Sequence, residues 1–362
     1  MAAPLVQEAG TAPGTPGHEE QELEEKPSRG RARIGRGLDR YALILAFAAI
    51  IIAFSASVPS TFDTVANLSN ILGSQAVLFI LTIAVLLPTI MGDFVDLSLG
   101  ASLGVSAMTI AVLNVNHSVP IVYACLAGVG AAIVVGLVNT VFVVYYDNNP
   151  FIITLGTMTI VEGVTFIIST NATVGVVSTG LSNWVYTNTF LSIPLEFYYA
   201  LAIFVAVWYV LSFTPVGQKA LVIGQARDVA RLSGFHVNRQ RAWAFVIGAA
   251  IAGFAGIAYA GTYGSVAPTA GSAYILPAYA AVFLGATAIR PGRMNALGSL
   301  IAVYFLATGT AGLELLGAQA YIQQIFYGAA LVVAVAFPTV ARKRIFKRRK
   351  TPILPRSTAA GS

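Results

Sequence analysis

Charge is what this sequence has least of. Of its 362 residues only 10% are Asp, Glu, Lys or Arg, whereas 57% are hydrophobic. A water-soluble domain carries roughly 25% charged residues. This chain therefore cannot clothe a water-facing surface, and its natural solvent is lipid. Cysteine is nearly absent too. Cys125 stands alone inside an apolar run, which excludes a disulfide framework within the chain and leaves the redox compartment open. The histidines are His18, His117 and His236, far apart and with one cysteine beside them, a poor basis for a zinc site or for a nucleophile triad built on histidine. There are five lysines, none in a G-x-x-x-x-G-K-[ST] loop, so the chain has no Walker cradle for ATP phosphates. No repeat with a period of 20–50 residues is visible, which argues against an array.

The first 28 residues differ from the rest. They are rich in Pro, Gly and Ala and carry the cluster Glu19, Glu20, Glu22, Glu24 and Glu25. Such a composition buries nothing and predicts a disordered tail. It does not read as a secretory signal, because the first apolar run begins only near Tyr41, behind an acidic and then a basic stretch.

A helix that crosses the hydrocarbon needs about 20 mostly apolar residues. Ten segments qualify as candidates, at roughly 41–58, 71–91, 97–115, 120–146, 151–169, 195–213, 243–262, 275–289, 294–316 and 321–341. The third is polar at one end and the eighth is short. The expected fold class is thus an all-α integral membrane protein of about ten transmembrane helices. Sidedness follows from the cations, which cytoplasmic loops hold preferentially. All 21 Lys and Arg fall in four regions: the tail before the first segment, the loop after the sixth (Lys219, Arg227, Arg231, Arg239, Arg241), Arg290 and Arg293 after the eighth, and the C-terminal tail from Arg342 to Arg356. With ten crossings all four lie on one side, which places both termini in the cytoplasm. The chain then divides into a tail at 1–40, expected to be disordered, a membrane domain at 41–341 with a cytoplasmic loop at 214–242, and a basic tail at 342–362. These basic stretches set topology and touch anionic membrane lipid; they are not read as nucleic-acid binding.

Small residues recur at the spacing that lets helices approach closely in lipid: Gly100 with Gly104, Ala132 with Gly136, Ala252 with Gly256. For any one pair, the plain abundance of Gly and Ala is an equal explanation. Polar groups inside the apolar map are costly and mark either structural hydrogen bonds or a solute path. Asp93 and Asp96 lie at the junction of the second and third segments, where Asp96 can accept backbone N–H bonds as a cap at the start of the third, with a polar break lining a path as the equal alternative. Glu162 lies 12 residues beyond Pro150, about 18 Å along a helix, so it faces protein or water or is protonated. Asn139, Thr154 and Thr157 are neutral polar groups within helices, for which back-bonding is the simpler account of the threonines. These six, Asp96, Ser98, Asn139, Thr154, Thr157 and Glu162, are the candidate path residues.

The loop after the sixth segment carries Gly224-Gln225-Ala226-Arg227-Asp228-Val229-Ala230-Arg231-Leu232-Ser233-Gly234. Gly224 and Gly234 are expected to bracket a short helix, with Gly234 as its C-cap. Arg227 and Arg231 stand four apart on one face. Ala226, Val229, Ala230 and Ser233 form a face of small residues suited to docking another protein, with a solvated connector as the equal alternative.

This stretch resembles the cytoplasmic segment of ribose-type ABC importer permeases, members of the branched-chain amino acid and monosaccharide permease superfamily. Three further stretches are similar: Asp96-Leu97-Ser98-Leu99-Gly100, then Asn149-Pro150-Phe151 continuing to Thr154-Leu155-Gly156, and Ala280 to Thr287 with Gly292-Arg293. The resemblance covers residues 41–340 in the expected order. It departs where Asp93-Phe94-Val95 replaces a glycine pair and where Glu162 replaces a basic residue.

The resemblance implies a permease subunit that moves a small neutral solute, a monosaccharide first, across a bacterial inner membrane. A branched-chain amino acid, a nucleoside and a signalling molecule are the alternatives. It implies that residues 224–234 (Gly224, Arg227, Val229, Ala230, Arg231, Leu232, Ser233, Gly234) meet a cytoplasmic ABC ATPase subunit. It further implies an extracytoplasmic solute-binding protein and a second permease copy, identical or similar. The chain itself would bind no cofactor and would not be an enzyme, since ATP and magnesium belong to the ATPase. A secondary transporter using Glu162 as its coupling site is the competing class.

Overall fold

In the computed structural model the backbone is described for residues 29–347 except 176, 188 and 291, and side chains for 41–336 with the same exceptions. The chain forms two compact units, Met1–Leu38 and Asp39–Ser362. The first is described only in its helical backbone from Arg29; the second holds the core and the membrane helices.

The described chain is helical with short connections. Helix α1 runs Arg29–Ser57, followed by one turn, α2, at Pro59–Phe62. Helix α3 (Val65–Ser74) passes through Gln75 into α4 (Ala76–Ile90). Helix α5 (Ser98–Ala111) widens into a π-helical turn at Val112–Asn116, and α6 (Ile121–Asn139) into another at Thr140–Tyr145. Then come α7 (Pro150–Ile168), the short α8 (Thr179–Ser182), α9 (Leu195–Phe213), α10 (Pro215–Gln225) and α11 (Arg227–Leu232). Helices α12 (Val237–Tyr263), α13 (Ala270–Gly285), α14 (Ala296–Leu315) and α15 (Ala320–Lys347) complete the chain.

Every one of the ten apolar segments falls on a helix. Seven are long and apolar enough to cross a membrane: Val65–Ile90, Ser98–Asn116, Ile121–Tyr145, Pro150–Ile168, Leu195–Phe213, Val237–Tyr263 and Ala296–Leu315. Three apolar helices are shorter as described, Tyr41–Ser57, Ala270–Gly285 and Ala320–Ala336. Boundaries differ from expectation where polar residues continue a helix beyond its apolar run. Helix α12 begins at Val237 rather than 243, because Arg239 and Arg241 are good helix formers outside the apolar run. Helix α1 begins at Arg29, so the expectation of disorder over 1–40 is corrected for residues 29–40; residues 1–28 and 348–362 lie outside the described residues. The expectation of an all-α chain also needs a small correction. Four two-residue strands form two antiparallel pairs, Val174–Gly175 with Ser265–Val266 and Thr189–Phe190 with Ile193–Pro194.

Helix α4 is the centre of the core. Nearly all of its residues are buried, which explains an apolar run with no polar face. Helices α12, α5 and α13 pack around it, and the paired small residues are at their crossings. A Cβ on Gly100 or Gly104 would meet the Gly271 backbone at 3.0 and 3.2 Å, so α5 and α13 touch backbone to backbone. Gly136 faces Ala249, and Gly256 faces Ser106. Ala132 faces Gly253. In lipid, where apolar burial gives no net drive between helices, such close approach supplies the packing.

Candidate functional site

Two polar constellations lie near one another in sequence, on either side of the turn between α4 and α5. The first begins at Pro88, near the end of α4. The backbone N–H of Met91 and that of Asp93 both donate to the Pro88 carbonyl, at 3.1 Å each. Gly92 sits at φ +84°, a conformation that glycine adopts without strain. The reversal turns the Asp93 side chain inward, where it is 0% exposed.

A buried carboxylate is tolerable only when paired and hydrogen-bonded. Asp93 is both. Arg241, from the first turns of α12 and itself only 1% exposed, donates Nε to Oδ2 at 2.9 Å and Nη2 to Oδ1 at 2.8 Å. Arg227, at the start of α11 and 31% exposed, donates Nη2 to Oδ1 at 2.7 Å. The Nη1 of Arg241 also reaches exposed Asp147, in the α6–α7 connection, at 3.4 Å. One carboxylate thus ties the α4–α5 turn to α11 and α12, and through Arg241 to a fourth element.

The same joint is closed by glycine. A Cβ on Gly224 would stand 1.9 Å from the Ile90 carbonyl oxygen, and one on Gly92 would stand 3.3 Å from the Gly224 oxygen. Any side chain at Gly224 would push α10 off the end of α4. Gly224 therefore does not start the short helix, as its sequence position suggests; it lies in the last turn of α10. Gly234, at φ +80°, does follow α11, where the Phe235 N–H donates to the Ala230 carbonyl at 3.0 Å.

Helix α11 presents a different face from the one its small residues suggest. Ala230 is fully buried against the protein's own core. Arg227 points inward to Asp93, whereas Arg231 points out, within 3.5 Å of Asn238. What α11 exposes is Val229 (57%) and Leu232 (89%), together with Ser233, whose hydroxyl back-bonds to the Val229 carbonyl. Leu232 is the most exposed of the large apolar side chains among the described residues.

The second constellation centres on Asp96. Its Oδ1 accepts from the Ser98 N–H at 3.0 Å and from the Ser98 hydroxyl at 2.5 Å, the cap expected for α5. Its backbone N–H donates to the hydroxyl of Tyr279 on α13. The next N–H, of Leu97, donates to Thr154 on α7 at 3.2 Å, so Thr154 receives a neighbour rather than back-bonding. The Oδ2 of Asp96 has no partner. Burial pushes its carboxyl up to about 6, against the lowering effect of the two Ser98 hydrogen bonds.

The other candidate path residues are placed apart from Asp96. Thr157 lies with its hydroxyl 2.8 Å from Asn139 Oδ1 and 2.9 Å from the Ile153 carbonyl, bridging α7 to α6 and also back-bonding. The Nδ2 of Asn139 is buried without a partner. Glu162 accepts from Ser272 on α13 at 3.2 Å, which is the structural hydrogen bond to a neighbouring helix that its depth requires. Sequence reasoning missed Glu196 altogether. It is fully buried at the start of α9, with Oε2 accepting from Thr262 at 2.5 Å and Oε1 unpartnered. An acid at the mouth of an apolar run was the available signal. Arg241 was counted only for topology, and Tyr279 was invisible within its apolar run.

Residues 67–335 match the family described as "Branched-chain amino acid transport system / permease component". The ribose import permease protein of Escherichia coli (strain K12) is 31% identical over 290 residues, covering 79% of this chain and 89% of that protein. The D-allose transport system permease protein of the same organism is 27% identical, covering 84% of this chain and 93% of its own length. The autoinducer 2 import system permease protein LsrD of Salmonella paratyphi A is 28% identical with similar coverage. No solved structure matches the chain.

Proposed function

The chain belongs to the branched-chain amino acid transport system permease family, and from that premise we propose that it is the membrane-spanning subunit of an ATP-binding cassette importer in a bacterial inner membrane. Its substrate is a small neutral solute, a monosaccharide first, as the names of the ribose and allose relatives suggest. The chain crosses the membrane ten times with both termini, the loop 214–242 and the turn at Arg290–Arg293 in the cytoplasm. A second permease copy completes the path, an extracytoplasmic binding protein delivers solute, and two ATPase subunits supply ATP and magnesium chemistry from the cytoplasm.

The observation that carries this reading is the two-sided character of α11. Its inner side is fixed by buried Ala230 and by the Arg227–Asp93 pair, and its outer side offers Val229 and Leu232. Exposed apolar side chains on a short helix outside the membrane invite a protein partner. A partner that moves α11 moves Asp93, and Asp93 stands three residues before the Asp96 constellation that joins α5, α7 and α13. Motion of the ATPase is thereby passed to helices that line the path, where Asp96, Ser98, Thr154, Thr157, Asn139 and Glu162 are the candidate lining groups.

The test is co-purification with a co-expressed ABC ATPase subunit, coupled with impermeant thiol labelling. A stable ATPase complex, with a cysteine at position 228 unreactive from outside intact cells, is expected. Labelling at 228 from outside overturns the sidedness, and no ATPase complex overturns the assignment of α11.

A further inference from the structure

On the lateral face of the protein, beside the coupling joint, a groove of about 570 Å³ runs between α9 and α12. That size is typical of sites for small amphipathic ligands, roughly 300–1,000 Å³. Its lining includes Leu87 of α4 and Met91 just beyond that helix, with apolar residues such as Val207 of α9 and Ile247 of α12. Helix α10 and the turn before α12 close one end. That end carries Lys219 and Arg239, and no acidic residue lines the groove anywhere. Neither cation has an ion-pair partner among the described residues, although Lys219 sits 5.8 Å over the ring of Phe235. Trp243, 56% exposed, marks the rim one turn further along α12. Tryptophan prefers the membrane–water boundary. The start of α12 has no acid in its first turn and no side-chain cap, so its positive end is uncompensated on the same side.

We propose that this groove is a binding site for an anionic phospholipid of the cytoplasmic leaflet, with its headgroup phosphate on Lys219 and Arg239 and an acyl chain along α4 between α9 and α12. A zwitterionic lipid fits the apolar part equally well, so the selectivity resides in the two cations. A groove with a basic end at the cytoplasmic boundary has the chemistry for such headgroups. The site rests on the cytoplasmic placement given under Proposed function. Because α10 and the α11–α12 turn form its closed end, a bound lipid also braces the coupling loop against α4.

The experiment is tryptophan quenching in the full chain, with Trp184→Phe and Trp208→Phe leaving Trp243 as the single reporter. The chain is placed in nanodiscs containing brominated phosphatidylglycerol or brominated phosphatidylcholine at a series of mole fractions. Half-quenching by phosphatidylglycerol is expected at a mole fraction severalfold lower than by phosphatidylcholine. Each cation near a headgroup is worth about fivefold in affinity at moderate salt, so Lys219→Ala with Arg239→Ala should remove the preference. Lys219→Arg with Arg239→Lys should keep it, which separates charge from fold. Equal quenching by both lipids, or a preference that survives the double alanine variant, overturns the site. No quenching by either lipid means that protein covers the groove and overturns it too. The assay needs no ATPase, so a chain that selects phosphatidylglycerol but fails ATP-driven uptake would refute only the importer reading.

Discussion

Asp93→Asn removes a single charge and leaves the shape unchanged, which makes it a sharp test of the joint. In the native protein the carboxylate accepts three contacts, at 2.9, 2.8 and 2.7 Å, from two guanidinium groups. Asparagine keeps one acceptor oxygen and turns an amide donor toward a guanidinium donor. Arg241 is then 1% exposed with Asp147 as its remaining counter-charge, 3.4 Å away and itself 71% exposed. Removing one member of a buried pair costs about 3–5 kcal/mol, and the retained acceptor puts this case near about 3 kcal/mol. The Arg227 arm adds less, because a partly exposed pair is worth only about 0–1 kcal/mol. Asp93→Asn with Arg241→Gln removes the stranded charge as well, so the double variant should be more stable than the sum of its parts by about 1–3 kcal/mol. The assay is unfolding in mixed detergent micelles followed by tryptophan fluorescence. A single variant within about 0.5 kcal/mol of the unmodified chain, or strictly additive effects, would refute the buried pair as a determinant of stability.

Other substitutions separate the faces of the coupling loop. Leu232→Glu should leave folding and expression near normal and abolish or weaken ATPase binding, measured by co-purification; Ala230→Glu forces a charge into the core and should lower folded yield instead. Gly224→Ala puts a methyl on the Ile90 carbonyl and should cost about 2 kcal/mol or more, the scale of an overpacked core, read from the same unfolding curve. Glu162→Gln keeps the acceptor for Ser272 and should retain ATP-dependent uptake, with a changed rate at most; collapse of uptake at normal ATPase activity would return Glu162 to a coupling role.

Much of the architecture was legible because lipid imposes one rule on every crossing segment: its backbone must be satisfied within itself. Apolar length then marks the helices. The ends were less legible. Residues such as Arg239 and Arg241 extend α12 out of the apolar run, and hydropathy does not register them. The loop at 214–242 was legible as holding a short helix ended by Gly234, but not as to which face that helix offers. Spacing placed Arg227 and Arg231 together, and a small-residue stripe looked like a docking surface. The deciding partner, Asp93, lies 134 residues away from Arg227 in the chain, and periodicity within one element says nothing of such a contact. Asp93 itself stood out as an acid beside a membrane helix. Its role needed Arg241 to be seen as buried rather than as one more topogenic cation. The candidate path residues are polar exceptions within apolar helices, and Thr154, Thr157 and Glu162 on one helix serve three different neighbours.

Solute uptake by the chain reconstituted in proteoliposomes with its ATPase and binding protein tests the central claim most directly, with ribose and related monosaccharides as first substrates. Accumulation is expected only with ATP on the ATPase side, unchanged when a proton gradient is imposed or collapsed, and reduced severalfold per ATP hydrolysed by Arg227→Gln, which loosens the link between α11 and the α4–α5 turn. Accumulation driven by a proton gradient without ATP would contradict the account.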